Sequence, residues 1–441
     1  MQKALRTFVV NLKTRTDRRE HILREFSDKP EFDVTLVDAI TSSRGGLGLW
    51  LTFKHIVRSY VSQNDEFILI CEDDHIFTAE YSHNLLQNCI IKAQEFKADI
   101  LLGGVSWVSS INCVQDHVFW VEEFSGTQFM IVFKQFYSVL RDAKMNSEGA
   151  ADWKVGSLTQ KKMIIFPFIS TQKEFGYSDT TVNNRIPGRV SNFFDATQNR
   201  LRLLTKVVTH FQKLESSRPA IRFGVFQKIS VPTYIINLPH RVDRLNHIMS
   251  EFADKPEFIL NLVVAIQHKV GAYGLWQTIR QIVEKAKQEK EEMIVICEDD
   301  HYFTEFYNKE FFFKNVLEAD FDKAAFLSGG TGKFDYAIPV SKNRYWVSHC
   351  LSAQFLVIYS RFFDAILNVE YDETIIADMT YSKITTNKII LFPFVSGQKD
   401  FGYSDVTDFH NTKAGVVQNM FNEATNRFLN IHAVNLLKYE N

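Results

Sequence analysis

Phe67-Ile68-Leu69-Ile70-Cys71-Glu72-Asp73-Asp74-His75 returns later in the same chain as Met293-Ile294-Val295-Ile296-Cys297-Glu298-Asp299-Asp300-His301. A short unbroken apolar run reads as a strand covered on both faces, the pattern of a parallel sheet. Three acids in a row cannot continue that strand inside a core, because unpaired buried charge is too costly. The acids therefore mark the strand's carboxyl end, the edge at which open α/β sheets bind ligands. Carboxylates packed this closely repel one another unless a cation or a proton shares the site. Hard carboxylate oxygens suit manganese, magnesium or calcium. The alternative for one such triplet is a solvated acidic turn; its return in the same context weighs against that.

The return is not confined to the acids. Asn11, Arg15, Asp17 and Arg18 pair with Asn237, Arg241, Asp243 and Arg244. Asp28-Lys29-Pro30-Glu31-Phe32 recurs intact from Asp254, and Gly48-Leu49-Trp50 recurs from Gly274. Ala151-Asp152 matches Ala377-Asp378, and Phe175-Gly176-Tyr177-Ser178-Asp179 matches Phe401 to Asp405. Each pair is 226 residues apart, as Asn11 is from Asn237. That period is too long for a solenoid and reads as tandem duplication of a whole domain. The expected division is a first domain over 1–215, a linker over 216–229 around Ser216-Ser217-Arg218-Pro219, and a second domain over 230–441.

Within each unit the chain alternates. A strand over Phe8–Leu12 leads into a helix from about Asp17 to Phe26, then a strand from Asp33 to Ala39. A glycine turn at Gly45-Gly46-Leu47-Gly48 precedes a helix through about Val61, and the acid-bearing strand follows. A helix from about Tyr81 to Phe96 and a strand at Ile100–Leu102 come next, then Phe129–Phe133, a helix over Gln135–Ala143, and Met163–Phe166. Long helices close the units, near 190–214 and 416–437. Strands alternating with helices predict a mostly parallel, Rossmann-like α/β sheet in each unit.

Composition narrows the class. A chain of 441 residues, 45% hydrophobic and 23% charged, is an ordinary globular protein of two or three domains. A net charge of −2 provides no general attraction to nucleic acid. Five cysteines are too few and too odd for a disulfide framework, and Cys71 and Cys297 fall inside apolar strands. A reducing cytoplasm is the expected location. No run reaches the roughly 20 apolar residues of a membrane span, so membrane contact would be peripheral. Among the 39 Phe and 15 Tyr, a few can serve as platforms for a sugar-like ligand.

Five further features carry chemistry. Asn11-x-x-x-Arg15-x-Asp17-Arg18, with its copy, places cations at a helix N-terminus, where guanidiniums and free backbone N–H groups can hold a diphosphate; the other reading is an Arg–Asp pair that fixes the loop. Gly48 and Gly274 either admit a ligand close to the backbone or shape an ordinary turn. Asp152 and Asp378 open a loop expected to face the acids, as general base or as helix cap. Asp179 and Asp405 are a distant metal or ribose ligand, or a polar turn. His75 and His301 either complete a metal shell or orient the neighbouring aspartate.

Taken together, Asn-Leu-x-x-Arg-x-Asp-Arg, the Gly-x-x-Gly turn, a strand ending in Glu-Asp-Asp and the late Gln-x(5)-Ser-Asp resemble glycosyltransferase family 25. That family holds lipooligosaccharide galactosyltransferases and relatives of collagen galactosyltransferases. The resemblance covers nearly all of both units. It departs at the glycine turn, where the family's Gly-Glu-x-Gly-Cys is replaced by Gly-Gly-Leu-Gly-Leu and Gly-Ala-Tyr-Gly-Leu.

The resemblance implies a GT-A fold, a UDP-sugar donor (usually UDP-galactose), an inverting transfer and a glycan or glycoconjugate acceptor. It gives Asp74 and Asp300 the metal-ligand role for Mn2+ or Mg2+. Asp73 and Asp299 stand beside them, with Glu72 and Glu298 at the donor, and Asp152 and Asp378 occupy the family's late Asp. Two rivals remain. One domain is a silent binding or dimerisation module, or the acid cluster serves a metal-dependent nucleotidyltransferase or hydrolase.

Overall fold

The computed structural model describes the chain except for residues 1–3, 145–148, 178–183, 185, 220–225, 227–228, 352–353, 371–376, 404–414 and 440–441. It divides into two compact units, Met1–Lys206 and Val207–Asn441.

In the first unit the elements in order are β1 Leu5–Asn11, α1 Thr16–Phe26, β2 Phe32–Asp38, α2 Gly45–Ser59, β3 Phe67–Glu72, β4 His75–Phe77, α3 His83–Glu95 and β5 Ile100–Leu102. Five short strands follow: β6 Trp107–Val108, β7 Ile111–Gln115, β8 Val118–Val121, β9 Phe124–Ser125 and β10 Phe129–Phe133. The rest is α4 Tyr137–Asp142, α5 Ala151–Ser157, β11 Lys162–Ile165, β12 Ser170–Gln172 and α6 Arg189–Ser217.

The sheet order is β2-β1-β3-β10-β5-β11-β8-β7. The α/β class agrees with the sequence reading; the pairing is mixed where a mostly parallel sheet was expected. β1 runs parallel to β2 and β3, and β5 to β11, but β10 is antiparallel to both its neighbours. The reason lies in the connection. Parallel neighbours need a long crossover, usually a helix. Between β5 and β10 the chain supplies only short strands, so Phe129–Phe133 enters from the other direction.

Ile68, Leu69, Ile70 and Cys71 are fully buried, as an apolar run between two layers requires. The acids begin where that strand stops. A two-stranded ribbon, β4 with β12, pairs His75 with Gln172 just beyond them. Its effect is to bring residues 170–177 back over the acid edge.

Each pairing of the first unit has its counterpart in the second at the same offset. Leu5 pairs with Phe32, and Val231 with Phe258; Phe129 pairs with Cys71, and Phe355 with Cys297. The second sheet has the same order of corresponding strands. The helix ending the first repeat runs on to Ser217, so the expected linker from 216 begins inside its last turn. The compact units divide within that helix. No described helix is long and apolar enough to cross a membrane, and all five cysteines are free thiols.

Candidate functional site

The carboxyl ends of β1 and β3 lie side by side, with Val10 opposite Glu72. That register brings Asn11 to the acids. Asn11 Nδ2 donates to Asp73 Oδ2 at 2.8 Å and to the Arg15 carbonyl at 3.3 Å. Arg18, in the first turn of α1, reaches the same group: its Nη1 lies 2.9 Å from Asp73 Oδ1 and 3.4 Å from Asp74 Oδ2. The second unit repeats this, with Asn237 Nδ2 2.8 Å from Asp299, and Arg244 Nη1 3.0 Å from Asp299 and 3.1 Å from Asp300.

The returning segment clamps the arginines. Arg18 Nη2 donates to the Tyr177 carbonyl, and its guanidinium lies 4.7 Å from the Phe175 ring centre and 4.9 Å from that of Tyr177. Arg15 also stacks on Tyr177, its guanidinium 4.2 Å from the ring centre. The Tyr177 hydroxyl donates to Asp17, so Asp17 ties the loop to the helix start. Gly176 adopts φ +75°, a left-handed conformation that lets the chain turn between the two aromatic rings. Arg241, Arg244, Asp243, Phe401 and Tyr403 form the same stack in the second unit.

The triplet's charge is therefore met from within the chain. Burial would lower the Arg18 pKa, but Asp74 and Asp73 raise it overall. Burial, with Asp74 adding repulsion, pushes Glu72 up to about 8, against the hydrogen bond from Thr127 Oγ1 at 2.7 Å. Burial also raises Asp74 to about 6, while Arg18 opposes the shift. Burial carries Glu298 well above the carboxylate range, and Asp300 to about 6.

Asp152 sits in the first turn of α5 rather than in a loop after a helix. Its Oδ2 accepts from the Ser125 hydroxyl at 2.7 Å and the Gly126 N–H at 3.0 Å, and its Oδ1 from the Trp153 N–H. It is close enough to Glu72 to help raise that pKa, as Asp378 does for Glu298. Ser125, Gly126 and Thr127 thus link Asp152 to the acids. In the second unit Leu351 stands at the Ser125 position and Ala353 at that of Thr127, the latter outside the described residues.

Two assignments are corrected. His75 makes no hydrogen bond to the aspartates; its Nδ1 is 2.7 Å from Ser170 Oγ, and it packs against Phe77 and Phe129. Burial lowers its pKa to about 3, so it is a neutral core histidine that joins β4 to β12. His301 does the same with Ser396. Gly48 admits no ligand: a Cβ there would lie 2.4 Å from the Ile40 carbonyl oxygen, and at Gly274 2.3 Å from that of Ile266. These glycines let the first turn of the helix pack on the preceding strand's exit. Gly45, not Gly48, lines the cleft.

That cleft, about 290 Å³, is lined by Arg18, Glu72, Asp73, Asp74 and Gln172 together with Ile40–Ser43, Gly45 and Leu49. Asp179 and Asp405 lie outside the described residues. Among the described residues no group of three or more His, Cys, Asp or Glu is set to hold a metal. Both Asp73 oxygens are taken, but Asp74 Oδ1 and Asp300 Oδ1 are buried with no hydrogen-bond partner. One open carboxylate oxygen fits an ion of the magnesium type, which commonly binds through one or two carboxylates plus substrate phosphates. The donor set fits a cation that arrives with a diphosphate.

The comparisons leave the family open. No family model and no curated protein matches the chain. Solved structures similar to it include A197 from STIV, at 9% identity and a TM-score of 0.25 over 40% of this chain and 87% of the other. An apo UDP-glucose pyrophosphorylase is 11% identical, with a TM-score of 0.26 over 45% and 82%. A UDP-glucose pyrophosphorylase complexed with UDP-glucose is 9% identical, with a TM-score of 0.25 over 44% and 81%. Likenesses this faint carry no argument about the reaction.

Proposed function

We propose that each unit is a GT-A-like glycosyltransferase module of the family 25 kind, taking a sugar from a UDP-sugar to a hydroxyl of a glycan acceptor. The observation that carries this reading is the Asn11–Arg18–Asp73–Asp74 cluster, set at the carboxyl edge of the sheet over an open cleft and repeated around Arg244. A diphosphate placed there meets the N-terminus of α1 and the cationic edge of Arg15 and Arg18. Asp74 and Asp300 would hold the accompanying Mn2+ or Mg2+, which neutralises charge on the departing diphosphate.

In the transfer, the bond from the sugar's anomeric carbon to the diphosphate oxygen breaks as a bond to the acceptor oxygen forms. The acceptor's proton passes to a carboxylate, and Asp152 or Asp378 is the candidate, held in place at a helix start beside the acids. Glu72, close to neutral pH in its titration, limits the charge that the cluster carries before the donor binds.

The test is a donor screen that follows nucleotide release from UDP-galactose, UDP-glucose and UDP-N-acetylglucosamine, with and without saccharide acceptors. A parallel arm supplies nucleoside triphosphates with sugar 1-phosphates and follows pyrophosphate. Acceptor-dependent release of UDP supports the reading. Pyrophosphate release without it replaces transfer by nucleotidyl chemistry.

A further inference from the structure

Trp107 and Trp153 stand beside the candidate base of the first unit and serve no core. Their rings are parallel within 2°, with centres 6.1 Å apart. Trp153 is 58% exposed and Trp107 37%. Tryptophan is usually highly buried, so two indoles presented together to solvent are unusual. Both are tied to Asp152. Trp153 follows it on α5, and its backbone N–H donates to Asp152 Oδ1. Trp107 pairs across the ribbon with Ser125, whose hydroxyl donates to Asp152 Oδ2.

The second unit lacks the pair. Lys333 occupies the position of Trp107 and Met379 that of Trp153, although the strand and the helix that carry them are retained. Packing of the shared fold therefore does not require the indoles. What differs is the surface offered next to the base.

We propose that Trp107 and Trp153 form the acceptor platform of the first unit, and that its acceptor is a saccharide whose pyranose ring packs its C–H face on the indoles. This rests on the transfer reading above. A pyranose has an apolar face of axial C–H groups and a rim of hydroxyls. The outward indole face of the stacked pair takes that C–H face and leaves a hydroxyl free to point at Asp152. A large rigid ring does this at little entropic cost, with its polar N–H edge still wet. The second unit, with a lysine and a methionine there, takes a different acceptor, one on which a cation and a flexible apolar chain are the contacts.

The experiment uses the full chain and reads tryptophan emission as lactose or methyl β-galactoside is added, with UDP affinity measured separately by calorimetry. The platform requires that saccharide perturbs the emission and protects it from acrylamide quenching. Trp153→Ala and Trp107→Ala should each weaken saccharide affinity by about tenfold. Trp153→Phe should retain most of it, and UDP affinity should be unchanged in all three. Unaltered saccharide affinity in both alanine variants overturns the platform, as does a parent chain indifferent to these glycosides and to cellobiose and chitobiose. UDP that fails to bind while the saccharide response persists and depends on Trp153 sinks the transfer reading and leaves a saccharide site standing.

Discussion

Arg18 Nη1 lies 2.9 Å from Asp73 Oδ1, and Arg244 Nη1 lies 3.0 Å from Asp299 Oδ1. The cation that three adjacent carboxylates demand is thus an arginine of the same chain. Its side chain and that of Asp73 are each only 11% exposed. In such surroundings, removing one partner leaves an uncompensated charge.

Arg18→Ala should therefore do two things at once. Losing the buried partner should destabilise the first unit by about 3–5 kcal/mol. Losing a charged donor to the diphosphate should weaken UDP binding by roughly 1.5–3 kcal/mol where the unit stays folded. Urea denaturation and calorimetry separate the two. Adding Asp73→Asn should recover part of the stability but none of the affinity, because partners in one network are not additive. UDP affinity unchanged in a folded Arg18→Ala chain would reduce the arginine to a structural pair.

Glu72 predicts a pH dependence of stability. Its folded pKa, about 8, is above its ordinary value of 4.5. The native state therefore binds the proton more tightly than the unfolded chain does. Its contribution to stability is full below about pH 4.5 and is lost as the pH rises through about 8. Glu72→Gln removes the titration while keeping an acceptor for Thr127. Relative to the parent, this variant should gain melting temperature steadily between pH 5 and pH 9. Parallel curves over that range would show that Glu72 titrates normally.

Much of this was legible in the sequence, and the exceptions have physical causes. Charge cannot continue a buried strand, so Glu72 marked the sheet edge, and the repeat offset located Arg244 as the counterpart of Arg18. The antiparallel entry of Phe129–Phe133 was hidden because an apolar run carries no direction. His75 looked like a ligand because it adjoins acids, yet alternation along β4 turns it into the core, against Phe129. Tyr177 sat in a recurring motif that drew attention to its aspartate, whereas the backbone fold-back places the ring on Arg15 and Arg18. Trp107 and Trp153 are 46 residues apart in the chain, and no local pattern joins them.

The orphaned Asp74 Oδ1 predicts cation-linked donor binding. UDP affinity should rise when Mn2+ or Mg2+ is present, and product formation should stop in excess chelator. Asp74→Asn should abolish the cation's effect on UDP binding in the first unit while leaving the Arg18 contact to Asp73. Full activity in chelator would remove the metal from the reading. The pH dependence carries a sign too. Asp74 titrates near 6, so the cation's effect should fade as the pH drops through that value.

The two units carry the same costly cluster, and this predicts two donor sites. Nothing in packing alone favours two aspartates and a glutamate crowded at a sheet edge, since burial raises the pKa of Glu72 and Glu298 alike. A unit kept only as a scaffold would be as stable, or more so, with neutral residues there. Asp74→Asn and Asp300→Asn, made separately, should each abolish one transfer while calorimetry still finds UDP bound at the other unit. With Trp107 and Trp153 on one side and Lys333 and Met379 on the other, the two lost products should differ in mass or linkage. Product mass spectrometry reads this directly. If one substitution leaves every product intact and the other removes them all, a single working unit with a silent companion is the correct description.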